Sequence, residues 1–283
     1  MFKPKPSWLK AKACGDKKYI EVQKLLKQYE LNTVCHEANC PNRGECFSDG
    51  TATFLILGPK CTRNCTFCNV THGKINTVDS EEPSRVAAAV EILGLNYAVI
   101  TSVTRDDLAD GGAGQFVKVI KAIRNLERHI SIEVLTPDFK GISKDIKVVL
   151  EAGPEVFNHN VETVPRLYES VRPQADYRRS LRVLKTASDY NGISIKSGLM
   201  VGLGESVNEL EQVFRDLCEV GVSSLTIGQY LPPSMNHHPV LKYYHPKEFQ
   251  ELGQTAQKIG IRHVFSAPLV RSSYHAMKQF QTQ

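Results

Sequence analysis

Apolar positions along the chain follow two periods. Between residues 18 and 30, Tyr19, Val22, Leu25, Leu26 and Tyr29 recur near helical spacing, which predicts a short amphipathic helix. From residue 53 onward, short β-branched or aromatic runs alternate with longer stretches of helical period. The runs at 54–57, 97–101, 132–135, 156–159, 195–201 and 224–227 read as strands. The stretches at 83–93, 115–128, 143–150, 178–190 and 206–220 read as helices. Pro83 follows the acids Glu81 and Glu82, as at a helix start, and Gly153 and Gly221 stand where helices should stop.

Strands alternating with helices argue an α/β fold, a parallel sheet with crossover helices. Six such units form a doubly wound sheet or a barrel. No G-x-G-x-x-G follows the first strand, so the reading is an incomplete TIM-type β/α barrel of about six strands. A helix at 246–259 and a late strand at 262–265 would partly close it. The expected division is an N-terminal extension (1–52), the partial barrel (53–261) and a C-terminal extension (262–283). Chemistry in such barrels sits at the C-terminal ends of strands. There lie the loop after Leu57, the polar stretch 101–112 and Asn158-His-Asn-Val-Glu162.

Composition narrows the class. The 283 residues are 41% hydrophobic and 23% charged, an ordinary globular mixture that needs no disulfide staples. A net charge of +5 permits an acidic partner and is too weak to argue for nucleic acid. The N-terminus, Met1-Phe-Lys-Pro-Lys-Pro-Ser-Trp8, has no signal-peptide core and no transit-peptide look. Nothing approaches the ~18 apolar residues of a membrane span. A cytoplasmic protein with no membrane partner is expected, its eight cysteines reduced and serving as ligands, catalysts or core fillers.

Cys218 lies on the helical stripe Leu210, Val213, Phe214, Leu217 and reads as a buried core thiol, and Cys14 as a bystander. The other six divide three and three. Cys61, Cys65 and Cys68 are spaced C-x₃-C-x₂-C just after the first strand and Gly58-Pro59; Cys35, Cys40 and Cys46 are spaced C-x₄-C-x₅-C, with Pro41 and Gly44 predicting a loop. Structural zinc takes four ligands with paired C-x₂-C spacing, and here His36 or His72 would have to complete the sets. Iron–sulfur clusters held by loop thiolates fit better. Three cysteines on a cubane leave one iron open to a small molecule, so the site reads as chemical.

These motifs resemble the radical S-adenosylmethionine enzymes: C-x₃-C-x₂-C after the first barrel strand, with the aromatic Phe67 before the last cysteine. The upstream triplet and the tail Arg271-Ser272-Ser273-Tyr274 make the chain similar to one family among them, the lipoyl synthases. Gly50-Thr-Ala-Thr-Phe54, Arg105-Asp-Asp-Leu-Ala-Asp-Gly-Gly-Ala113, Asn158-His-Asn-Val-Glu-Thr163, Gly202-Leu-Gly-Glu205 and Gly228-Gln-Tyr-Leu231 agree, so the similarity spans roughly residues 18–277. His36 and Asn69 stand where acids are frequent in that family.

The resemblance implies a sulfurtransferase that inserts two sulfurs at C6 and C8 of an octanoyl-lysyl group on a lipoyl carrier protein or E2 lipoyl domain. Those C–H bonds have no usable acidity, so radicals must replace acid–base catalysis. It implies two [4Fe–4S] clusters and S-adenosylmethionine as cofactors. Cys61, Cys65 and Cys68 would hold the cluster that generates 5′-deoxyadenosyl radicals. Cys35, Cys40 and Cys46, with a tail serine, would hold an auxiliary cluster sacrificed for its sulfur. That serine is Ser273, with Ser272 the near rival. Phe67, Ser102, Gly111, Gly112, Asn160, Glu162, Gly202 and Gly204 are the implied cofactor contacts, with plain loop polarity as the alternative for Asn160 and Glu162. A low-potential donor of ferredoxin or flavodoxin type and an iron–sulfur carrier for cluster rebuilding would be further partners. Arg43, Arg166, Arg172 and Arg179 are candidates to face an acidic carrier, with solvated surface as the default. Two rivals stand beside this reading. A methylthiolating radical enzyme would bring a nucleic-acid-binding module, which these residues lack. A two-cluster electron carrier would need neither open irons nor a barrel.

Overall fold

The computed structural model describes residues 4–11, 15–73, 75 and 77–281. Cys14 lies outside them. The chain forms two compact units: residues 12–63 with 69–157, and residues 1–11 with 64–68 and 158–283.

The first unit opens with α1 (Lys17–Gln28), whose first turn is capped by Asp16 accepting from Tyr19 N at 2.9 Å. It buries Val22, Leu25 and Leu26, the predicted stripe. Strand β1 (Asn32–Thr33) leads into α2 (Val34–Glu37), and α3 (Arg43–Ser48) follows. The second cysteine group is thus not one loop, as its Pro and Gly suggested. Thr33 caps α2 by accepting from His36 N, Pro41 precedes α3 rather than interrupting it, and Gly44 is tolerated within a short helix.

Strand β2 (Thr53–Ile56) is wholly buried. Two short strands unseen in the pattern, β3 (Lys60–Cys61) and β4 (Thr71–His72), pair in parallel on either side of the cysteine loop. The βα alternation then runs α4 (Glu82–Ile92), β5 (Tyr97–Ser102), α5 (Ala113–Arg124), β6 (Ser131–Leu135), α6 (Ser143–Glu151) and β7 (Val156–Asn158), whose last residue opens the second unit. β1 pairs antiparallel to β2, while β2, β5 and β6 are parallel neighbours in chain order, as crossover helices require. The register sets Ile56 beside Ser102 and Thr101 beside Leu135, so these strands end together.

The second unit holds α7 (Tyr168–Val171), α8 (Tyr177–Ser188), β8 (Ser194–Val201), α9 (Val207–Glu219), β9 (Ser224–Gln229), α10 (Pro246–Ile259), β10 (His263–Ser266) and α11 (Ala276–Gln281). β8, β9 and β10 are parallel neighbours. α9 begins with a capping box: Ser206 and Glu209 each bond the other's backbone. Gly153 and Gly221 follow helix ends with φ of 75° and 88°, as their positions predicted. Cys218 is half-buried rather than buried. It sits at the flank of the α9 stripe, its Sγ 3.6 Å from Ile259 O. Among the described residues no helix is long and apolar enough to cross a membrane.

Candidate functional site

The Cys35 triplet lies wholly in the first unit. α2 buries Cys35 at 6% exposure, and the turn after it closes with Cys40 N donating to Cys35 O at 3.1 Å. Cys46 N, on α3, donates to Asn42 O at 2.9 Å. Burial first, then the charge on Cys40, pushes the Cys35 thiol up to about 11. Burial, then the charges of Cys35 and Cys40, raises Cys46 as well, and Asp49 and Glu45 add to it. In the folded apoprotein Cys35 and Cys46 therefore hold their protons more tightly than free thiols do. Thiols held protonated in this way give up their protons when a cationic centre binds them. Among the described residues no three His, Cys, Asp or Glu groups converge on the position of a single metal ion. A cubane asks for a different arrangement, one thiolate at each of several iron corners.

Of the other triplet, Cys61 belongs to the first unit and Cys65 and Cys68 to the second. Within the first unit, Cys61 ends β3 and its Sγ accepts from Arg63 N at 3.4 Å. Arg63 is buried, and its guanidinium grips two carboxylates at once. Nε and Nη2 donate to Asp106 at 2.7 and 2.9 Å, and Nη1 and Nη2 to Asp138 at 2.9 and 2.7 Å. Thr62 adds a second tie, its N and Oγ1 both donating to Thr104 O. Ser102, at the end of β5, has a buried Oγ without a hydrogen-bond partner among the described residues. Gly112 caps α5 at a φ of 93°, and a Cβ there would strike the Leu57 side chain. Gly111 packs on Phe139.

Within the second unit, Thr66 N donates to Val171 O at 3.0 Å and Cys68 N to Cys65 O at 3.1 Å. His237 Nε2 lies 3.2 Å from Cys68 O, and His238 N donates to Thr66 O at 2.9 Å. Tyr230 is buried, which raises its hydroxyl, and the charge of Cys68 raises it further. Phe67 is half-buried.

The same unit unites Asn160, Glu162 and the tail. Asn160 Nδ2 donates to Glu162 Oε1 at 3.0 Å and to Ser272 Oγ at 2.8 Å, and Ser272 Oγ donates back to Asn160 Oδ1 at 3.0 Å. Burial raises Glu162 above the ordinary glutamate range, against the pull of Arg172, the Asn160 hydrogen bond and Arg271. Thr163, 1% exposed, keeps an Oγ1 without a partner among the described residues. Glu205 gathers the Gly202 loop by accepting from Gly202 N and Leu203 N. A Cβ at Gly202 would strike Gln229 and the Lys242 carbonyl, and one at Gly204 the Leu241 side chain, so internal packing by itself requires both glycines.

The arginines divide. Arg172 is half-buried and turned inward, its Nη1 on the carbonyls of Asn160 and Val161 and on Tyr168 Oη, all at 3.2 Å. Arg166 is exposed but paired with Glu209 at 2.8 Å. Arg43 and Arg179 are half-buried. Sequence reasoning missed Arg63, Asp106, Asp138, Tyr230 and His237. A cation inside the cysteine loop, with acids ending later strand loops, was the one signal for the first three. Nothing local marks partners 43 and 75 residues away.

Residues 55–217 match the Radical SAM superfamily. The chain is 56% identical over 273 residues to lipoyl synthase of Caldicellulosiruptor saccharolyticus, covering 96% of each protein. It is 53% identical to lipoyl synthase of Rubrobacter xylanophilus, covering 97% of this chain and 86% of that one. Among solved structures it resembles HydG, a maturase of the [FeFe]-hydrogenase, with TM-score 0.60 and 16% identity over 88% of this chain and 63% of that one. It also resembles methylornithine synthase (PylB), with TM-score 0.55 and 15% identity over 88% and 77%. At such identities these two speak for the fold alone, which is the expected α/β partial barrel. By its descent, then, the chain belongs to the lipoyl synthase family of the radical S-adenosylmethionine superfamily.

Proposed function

We propose that this chain builds the lipoyl group, inserting two sulfurs into an octanoyl chain amide-linked to a lysine of a carrier protein or E2 lipoyl domain. The observation that carries the reading is a second set of three cysteines, Cys35, Cys40 and Cys46, on α2, α3 and the turn between them, additional to the C-x₃-C-x₂-C loop. Bound at the two triplets, [4Fe–4S] clusters and S-adenosylmethionine supply one-electron chemistry for unactivated C–H bonds, and sulfide for the new C–S bonds.

The protein's part is to hold and orient. Cys61, Cys65 and Cys68 would ligate one cluster and leave one iron for the methionine end of S-adenosylmethionine. Arg63 stiffens the start of that loop; His237 and His238 fix its end. Ser102 has a buried hydroxyl to offer the cofactor, and the Gly111–Gly112 turn would line the same end of it. Phe67, Glu162, Gly202 and Gly204 would line its adenosine end. Both Asn160 amide hydrogens are engaged, so its role there is to hold Glu162. Cys35, Cys40, Cys46 and Ser273 would ligate the auxiliary cluster. Oxygen matches iron less well than thiolate, so a serine there would hold its iron less tightly than the three cysteines hold theirs.

An iron–sulfur carrier and a low-potential ferredoxin or flavodoxin would serve the two clusters. All seven described cysteines are free thiols, which suits the reducing cytoplasm. The test is anaerobic reconstitution followed by S-adenosylmethionine, strong reductant and an octanoyl-lysyl peptide. The intact protein should release 5′-deoxyadenosine and add two sulfurs to the peptide. Cys68→Ala should lose both, and Cys40→Ala only the sulfur. Sulfur insertion by Cys40→Ala at the intact rate would refute the assignment.

A further inference from the structure

β2 leaves its sheet through a turn that a free chain would avoid. Leu57 and Gly58 follow the strand at φ of 69° and 81°, both left-handed. Glycine takes that conformation readily, whereas a leucine sets its Cβ against the following carbonyl and stays there only if its surroundings hold it. The holder is Glu82, the first residue of α4. Both oxygens of its carboxylate lie 3.0 Å from Leu57 N. Glu82 is buried, and its hydrogen-bond partners are neutral N–H groups. The cation on the same helix, Arg85, bonds Asp79 at 2.7 Å and Tyr29 O at 2.9 Å instead. Burying a carboxylate is costly, and this one spends its charge on a backbone N–H, which it grips about twice as strongly as a neutral acceptor would.

The contacts close into a ring. Gln115, buried on α5, donates from Nε2 to Glu82 Oε2 at 2.9 Å and to Asp79 O at 3.0 Å. Its backbone N donates to Gly112 O at 3.1 Å. Gly112 N donates in turn to Asp110 Oδ1 at 2.9 Å, and any Cβ on Gly112 would run into Leu57 Cδ1. Thus the carboxylate holds the Leu57 backbone, the Leu57 side chain lies against Gly112, and α5 returns to the carboxylate. Every member belongs to the first unit. Two parts of the site start from this ring. Past Leu57 the chain runs through Gly58 and Pro59, whose ring fixes φ, to Lys60 and Cys61 on β3. The Gly111–Gly112 turn is the other.

We propose that Glu82 is a positioning residue of the radical-generating site: its carboxylate keeps Leu57 in the left-handed turn and thereby sets both the course of the chain to Cys61 and the seat of the Gly111–Gly112 turn. The grip on the turn stands on geometry; its consequence for S-adenosylmethionine rests on the function proposed above. By sequence Glu82 is only an acid at a helix start. The fold makes it the anchor of the turn that leads into the cysteine loop.

Hydrogen–deuterium exchange of the full chain, free of iron, reads the grip. Glu82→Ala should speed exchange at the Leu57 amide about tenfold, the worth of one hydrogen bond to a charged group. Glu82→Gln should speed it less, because its Oε1 still accepts from Leu57 N while its amide meets that of Gln115 donor to donor. Adding Gln115→Glu to Glu82→Gln pairs amide with carboxylate again and should restore part of the protection. Iron-loaded proteins compared at equal iron content read the consequence. Glu82→Ala should raise the KM for S-adenosylmethionine in its reductive cleavage about tenfold, and the exchanged pair should recover part of what Glu82→Gln loses. Unchanged exchange at Leu57 in Glu82→Ala overturns the grip. A lowered Tm with KM unmoved marks a structural residue and overturns the positioning role. Should Glu82→Ala fail to fold, Glu82→Gln and the exchanged pair decide: equal exchange and equal KM in the two overturn the proposal. If the intact protein leaves S-adenosylmethionine uncleaved, the function proposed above fails, and the exchange data still decide whether Glu82 holds the turn.

Discussion

Replacing Arg63 with Ala removes the partner of two carboxylates at once. The Asp138 side chain is 1% exposed and that of Arg63 6%, so this half of the clamp is buried and unscreened; Asp106, at 31%, meets water. Breaking a buried pair by deleting one member costs about 3–5 kcal/mol, because a charge is stranded. The exposed half contributes up to about 1 kcal/mol. Asp138 keeps the hydrogen bond from Lys140 N at 3.0 Å, which favours the lower end, about 3 kcal/mol. Urea unfolding of anaerobic protein should show the midpoint falling with little change in slope. Adding Asp138→Asn should restore part of the loss by removing the stranded charge. Because Arg63 lies between Cys61 and Cys65, the variant should also release iron from that loop faster. A loss below about 1 kcal/mol, or a double variant no better than Arg63→Ala, would refute the claim that a buried clamp holds the loop.

Two further outcomes follow. Gly112→Ala must adopt a φ of 93° and place its methyl against Leu57, so it should destabilise by about 1–3 kcal/mol, seen as a lowered Tm. Cys35 is raised from 9.0 to about 11 in the folded chain, so the folded state holds that proton more tightly than the unfolded one. That stability is complete below about pH 9 and is lost as pH rises through about 11, so apoprotein melting should drop across this window; iron-loaded protein, with the proton already displaced, should not follow.

The barrel was legible because its strands are buried runs and its helices amphipathic, and α10 occupies the predicted 246–259. The β3–β4 pair escaped because two residues have no period. The helix at Cys35 escaped because Thr33 caps it, and that at Cys46 because Pro41 lies before it and Gly44 is tolerated within so short a helix. At the site, thiol spacing and the tail motif announced a pair of clusters. The supports did not announce themselves. Arg63 reads as an ordinary charge until Asp106 and Asp138 arrive from distant loops, and only the fold shows that Gly198 is bare to make room for Asn160 and Ser272.

The most direct measurement labels the sulfide of the auxiliary cluster with a heavy isotope and follows it into product. Protein reconstituted this way, then freed of loose sulfide, is given S-adenosylmethionine, reductant and an octanoyl-lysyl peptide for one turnover. The account predicts a peptide carrying two heavy sulfurs, two molecules of 5′-deoxyadenosine per product, and loss of the iron held by Cys35, Cys40 and Cys46. A peptide that gains unlabelled sulfur while that cluster stays whole would contradict it.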